Sequence, residues 1–118
     1  MQQSLAAVDI FSALEHLAAT SRLVIDRPRG TPHPRYGEAI YPLDYGYLDG
    51  TSSGDGDGID VFVGSLMPRR VTAVLMTVDP GKRDLEVKVL LGCTAAESET
   101  VRHFVQRELG LGCHLVMS

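Results

Sequence analysis

At 118 residues the chain has the length of one compact domain, long enough to bury a core without disulfide or metal staples. It is 44% hydrophobic and 22% charged, and no apolar run approaches the roughly 20 residues that span a bilayer, so a soluble domain without a membrane partner is expected. The formal charge of −4 argues against nucleic acid as a ligand. Cys93 and Cys113 lie outside any metal-ligand or redox spacing, and the N-terminus lacks a secretory pattern. Both features point to idle thiols in a reducing cytoplasm.

In chain order, "LAAVDIFSALEHLAA" (5–19) places Val8, Phe11, Leu14, Leu17 and Ala18 on one face and predicts an amphipathic helix capped by Ser4. "RLVID" (22–26) predicts a short strand that stops at Pro28. From Pro28 to Tyr47 the chain holds four prolines and three glycines, which predicts an ordered but irregular loop. "IDVFV" (59–63) and "RVTAVLMTV" (70–78) predict strands, the second apolar on both faces and therefore central. After the turn "DPGKRD" (79–84), "LEVKVLL" (85–91) alternates with Leu85, Val87 and Val89 toward the core and Glu86 and Lys88 opposite. Thr94 and Glu97 form a capping box for a second helix, with Val101, Phe104, Val105 and Leu109 inward. Gly110 ends it, and "CHLVM" reads as a last strand. With no repeat or linker, residues 1–118 read as one domain: a helix over about 5–19, a β-rich core over about 22–92 and a helix over about 95–109.

Charge is distributed unevenly. Between Arg35 and Arg69 there is no basic residue, while Glu38, Asp44, Asp49, Asp55, Asp57 and Asp60 are all acidic. Arg22, Arg27, Arg29 and Arg35 come just before. Folded together, these segments make an acidic nest rimmed by arginines, suited to a metal-bound anion. The focus is "SSGDGDGIDVFVG", in which glycines let Asp55, Asp57 and Asp60 aim inward at a hard cation. An EF-hand is excluded, because Ile59 and Leu66 stand at ligand positions and Asp60 where a glycine belongs. A calcium-binding β-roll unit is only partly matched, by Gly56, Gly58, Asp60 and Phe62, and it stands alone, whereas such units stabilise one another by stacking. The remaining alternative is a plain Gly/Asp turn. A second acidic pair, Asp79 and Asp84, flanks the next turn, and in an antiparallel pair both loops can share one end of the sheet. Five carboxylates on one cleft repel one another unless cations, such as Mg²⁺, join them and clamp phosphate oxygens. Tyr36, Tyr41, Tyr45 and Tyr47 lie just ahead of the loop, either as packing groups or as donors to phosphate.

Together, "YPLDYGYLDGT", "DGDGIDVFVG" and "TVDPGKRD" resemble the soluble family I inorganic pyrophosphatases over roughly residues 23–92. The resemblance implies an α+β, mainly β fold, a closed five-stranded OB-like barrel with helices outside. Mg²⁺, or Mn²⁺ in its place, would be held by Asp55, Asp60, Asp79 and Asp84, with Asp26 where the family has a metal-site Glu. Asp57 matches the group that takes a proton from the water attacking diphosphate, and also faces the metals. Tyr45 falls near that water and Tyr41 beside it. Arg35 stands for a phosphate-gripping lysine. The resemblance further implies a small phosphate-containing substrate, a cytoplasmic setting and homo-oligomeric assembly.

Departures concern the cationic grip. The hairpin before Tyr41 is shortened to "GEAI" (37–40), which removes an arginine; Gly58 replaces a proline; and Glu86 replaces a lysine. Glu108 and Leu109 fall where the family has a Tyr-Lys pair. Arg27, Arg29, Lys82 and Arg83 are available as substitutes, and His33 can reach phosphate. His16, His103 and His114 read as surface residues. The expected activity is Mg²⁺-dependent hydrolysis of inorganic diphosphate. Hydrolysis of a nucleotide or short polyphosphate, and cation or phosphate binding without turnover, are the alternatives.

Overall fold

The computed structural model describes residues 8–118. Its first helix, α1, spans Ile10–Thr20. Asp9 caps it, its Oδ2 accepting from the N–H groups of Phe11 and Ser12 at 3.1 and 3.3 Å. The expected start near Leu5 and its cap Ser4 lie outside the described residues. Val8 precedes the helix and is 72% exposed, so it does not join the inner face. Phe11, Leu14 and Ala18 do.

Six strands follow: β1 (Leu23–Arg27), β2 (Asp44–Leu48), β3 (Ile59–Val63), β4 (Val71–Asp79), β5 (Asp84–Leu91) and β6 (Gly112–Met117). Between β5 and β6, the helix α2 (Ala95–His103) runs into a π-helical segment, Phe104–Glu108. The expected capping box is present, with Thr94 Oγ1 accepting from Glu97 N and Glu97 Oε1 accepting from Thr94 N. The strands form one sheet in the order β1-β2-β3-β5-β4-β6, with β4 internal as its two-sided apolarity predicts.

The mainly β reading with a helix near each end holds, with two corrections. Asp44–Leu48 is a strand and not loop, so the sheet has six strands. Among the described residues no ladder joins the edges β1 and β6, so the sheet is open and not a closed barrel. Pro42 and Gly46 obscure β2 locally, but antiparallel partners on both sides complete its hydrogen bonding.

Alternation along the strands divides the core. On one face Leu48, Val61, Val63, Val71, Val89 and Leu91 are buried beneath α1. On the other, Phe62, Ala73, Leu75 and Leu90 meet Val101, Phe104 and Val105 from α2 and the π-helical segment. Each buried Leu, Val or Phe contributes about 1.5–3 kcal/mol by leaving water. Where the sheet extends past α2, this second face becomes polar and forms the floor of a cleft.

Candidate active site

The cleft has a volume of about 460 Å³. Its floor is the same-face row formed by Tyr45 and Tyr47 of β2, Asp60 and Phe62 of β3, Glu86 and Lys88 of β5, and Thr77 and Asp79 of β4. β3 and β5 are parallel neighbours, so the loop entering β3 and the β4–β5 turn lie at the same end of the sheet. This brings Asp55 and Asp57 to the same cleft as Asp79 and Asp84. Their convergence was expected from antiparallel neighbours, but a parallel pair achieves it.

At β1 the register shifts between Ile25, opposite Gly46, and Arg27, opposite Tyr45. Asp26 is the extra residue of this bulge, and the bend carries both Asp26 and Arg27 to the cleft. Gly46 is required where the strands approach, because a Cβ there would fall 1.8 Å from the Val24 carbonyl oxygen. The segment from Pro28 to Tyr41 folds over as a wall, tied by a bridge between Pro32 and Ile40. It adds His33, Arg35 and Tyr36 to the lining. Asp44 Oδ1 pins this wall by accepting from Arg29 N at 2.8 Å.

Every expected site residue but two reaches the cleft. The exceptions are Arg29 and Arg83, exposed residues absent from the lining. A second correction concerns β5. Its alternation is as expected, but only Val89 of the three residues assigned to the core is buried; Leu85 and Val87 are 64% and 37% exposed. Helix α1 covers only the far half of that face. Glu86 and Lys88, on the opposite face, point into the cleft.

The polar contacts are specific. Arg27 Nη1 donates to Tyr41 Oη at 2.6 Å, and its guanidinium carbon lies 5.5 Å from the centre of the Tyr45 ring. His33 Nδ1 accepts from the N–H groups of Arg35 and Tyr36, so its other ring nitrogen is the one free to donate. Burial, then the nearby charges of Arg27, Lys82, Lys88 and Arg35, hold the His33 pKa below its ordinary value. Asp55 Oδ1 accepts from Ser53 Oγ at 2.5 Å and Asp57 N at 3.0 Å, which holds its pKa down. Asp79 Oδ1 accepts from Gly81 N and Lys82 N and so shapes the β4–β5 turn.

Lys88 is assigned no site role by the sequence, which places it only on the same strand face as Glu86. It is buried, with only 9% of its side chain exposed. Its Nζ donates to Tyr45 Oη at 3.0 Å and to Asp60 Oδ2 at 3.2 Å, and Glu86 Oε2 lies 3.9 Å away. Burial and then the adjacent Asp60 charge push the Tyr45 pKa far up, so its phenol stays protonated. Burial also raises the Glu86 pKa against the pull of Lys88. The signal available in the sequence was a lysine two residues beyond Glu86 on the same strand parity.

Seven carboxylates (those of Asp26, Asp55, Asp57, Asp60, Asp79, Asp84 and Glu86) face four cations (Arg27, Arg35, Lys82 and Lys88). This all-oxygen donor set with excess negative charge suits a hard divalent cation in chemistry. Among the described residues, no three of these side chains close to the spacing of a coordination shell.

A β-sheet with an acidic, tyrosine-lined cleft at the shared end of two parallel strands defines the general class. Solved structures make it more specific. The chain superposes on inorganic pyrophosphatases from Coxiella burnetii (TM-score 0.59, 17% identity, 79% of this chain and 81% of that one) and Helicobacter pylori (0.58, 17%, 81% and 80%). A third match is the inorganic pyrophosphatase of Thermus thermophilus (0.54, 21%, 80% of each). In sequence it is 29% identical over 87 residues to the inorganic pyrophosphatase of Mycoplasma pneumoniae, across 67% of this chain. The chain spans only 44% of that relative's length. No family model matches it. The chain has the fold of these inorganic pyrophosphatases and resembles one of them in sequence over part of its length.

Proposed function

We propose that the protein hydrolyses inorganic diphosphate to two phosphates in a reaction dependent on Mg²⁺. The observation that carries this reading is the convergence of both acidic loops, Tyr41, Tyr45 and the cations Arg27, Arg35 and Lys82 on one cleft. Asp55, Asp79 and Asp84 are the residues that would hold divalent cations, with Asp57 facing them as the base, Asp26 at the margin and Asp60 already paired with Lys88. Such cations, when bound, neutralise phosphate oxygens and make water acidic enough to react near neutral pH.

The chain's own groups account for the rest. Arg35 and Lys82, both lining the cleft, orient the two phosphates for in-line attack. Asp57, exposed at the tip of its loop, accepts the proton as the water O–H breaks and the new P–O bond forms. The bridging P–O bond then breaks, and Arg27 and Arg35 stabilise the charge on the departing phosphate. Protonated Tyr45 holds the floor of the site and donates to oxygen.

Leu109 and Leu111 line part of the wall, an apolar surface that diphosphate does not use. This favours, as a second reading, a phosphoanhydride with an apolar or base-bearing substituent. A phosphate-release screen over diphosphate, short polyphosphates and nucleotides, with and without Mg²⁺, tests both. Selective release from diphosphate supports the first reading and release from a nucleotide the second. Binding of phosphate or cation without release overturns both and leaves a non-catalytic binding protein.

A further inference from the structure

We infer that the Lys88 ammonium is a tethered cation that takes the place of one divalent ion beside Asp60, so that the site works with one fewer metal than its carboxylates could bind. This rests on the cleft being a divalent-cation site. Four observations place Lys88 in that role. It is nearly fully buried at the centre of the floor, where a charge is tolerated only if neutralised. It meets Asp60 Oδ2 at 3.2 Å and Glu86 Oε2 at 3.9 Å. It also satisfies Tyr45 Oη at 3.0 Å, and no buried side-chain polar atom is left unpartnered among the described residues. Finally, Asp60 is only 28% exposed and its Oδ2 is already engaged, whereas Asp55 and Asp57 are exposed.

The alternation of β5 explains how the charge arrives there. Thr77 lies opposite Glu86 and Leu75 opposite Lys88, so the ammonium sits one residue pair deeper than the carboxylate. A lysine at that depth reaches Asp60 from below, leaving the mouth of the cleft to mobile cations and substrate. Asp60 then serves as the counter-charge of Lys88, and the divalent ions fall to Asp55, Asp79 and Asp84.

The test counts bound metal without using turnover. Mn²⁺ is measured by equilibrium dialysis against the wild type, Lys88→Met, Lys88→Gln and Lys88→Arg, with far-UV circular dichroism to establish folding. The glutamine variant retains a donor amide for Tyr45 and Asp60 should the apolar replacement fail to fold. Lys88→Met and Lys88→Gln are expected to bind one more Mn²⁺ than the wild type, or to bind the existing ions roughly tenfold more tightly once a unit charge is removed nearby. Lys88→Arg should keep the wild-type count. A purely structural lysine predicts the opposite sign, because loosening the floor weakens metal binding. An unchanged or reduced Mn²⁺ count and affinity in the neutral variants overturns the inference, as does a wild type and variants that all bind none. A gain in Mn²⁺ without phosphate release from diphosphate in any variant upholds the inference and sinks the diphosphatase reading instead.

Discussion

Gly46 offers a sharp test of how the fold positions the cleft. A Cβ at this residue falls 1.8 Å from the Val24 carbonyl oxygen, 2.7 Å from its carbon and 2.9 Å from Ile25 Cα, all backbone atoms that cannot rotate away. A carbon–oxygen contact needs about 3.3 Å, so Gly46→Ala must drive β1 back by roughly 1.5 Å, beyond the reach of its ladder hydrogen bonds. Losing about two such bonds costs roughly 1–3 kcal/mol. Displacing the packed Leu23 and Ile25 adds roughly 1–3 kcal/mol. At this chain length each kcal/mol shifts Tm by about 3–5 °C, so the variant should melt at least about 6 °C below wild type. Because β1 ends in the bulge that delivers Asp26 and Arg27, the same displacement should raise KM for the substrate. Thermal melts by circular dichroism and steady-state phosphate release are the assays. Gly37→Ala, where an added Cβ meets nothing within 4 Å, is the control. A Gly46→Ala melt within about 2 °C of wild type would refute the close approach of β1 and β2 at this point.

Divalent binding by the acidic loops predicts that saturating Mg²⁺ or Mn²⁺ raises Tm by mass action, by about 2.7 kcal/mol of stability at a concentration 100 times Kd. A melt indifferent to either ion would contradict it. Asp57→Asn should lower kcat by on the order of 10²–10⁴ while retaining most metal affinity, checked by single-turnover kinetics beside Mn²⁺ dialysis. Parallel losses in both would make Asp57 a ligand only. Glu86 lines the cleft, so Glu86→Lys should lower KM for diphosphate by roughly two- to fivefold at low salt, an effect that fades as salt is added. Equal KM values and salt slopes would remove Glu86 from the anion's path. Glu97 accepts from Thr94 N and also joins Ser65, which holds its folded pKa below the ordinary 4.5. Its contribution to stability is therefore present above that pH and lost as pH falls through the folded value. Urea midpoints of wild type and Glu97→Gln should differ most at neutral pH and converge as the pH falls below the ordinary glutamate range; a constant gap would contradict this.

Much of the framework is written locally. Alternation in "IDVFV" and "LEVKVLL" and two-sided apolarity in "RVTAVLMTV" are properties of a pleated strand, in which side chains change face at every residue. The Thr94–Glu97 box is local too, because a helix start is completed by groups three residues apart. The acidic loops were equally visible, since like charges separated by glycine have no role in a core. What the sequence alone leaves open is everything set by partners distant along the chain. Strand β2 contains a glycine and follows a proline, and it becomes a strand only because β1 and β3 pair with both of its edges. Which face of β5 is buried depends on where α1 stops, so Leu85 and Val87 are exposed while Lys88 is enclosed. The bulge at Asp26 needs Gly46, twenty residues away, to let the strands close. Period and charge are local quantities, but burial, register and the neutralisation of Asp60 by Lys88 exist only once the sheet has assembled.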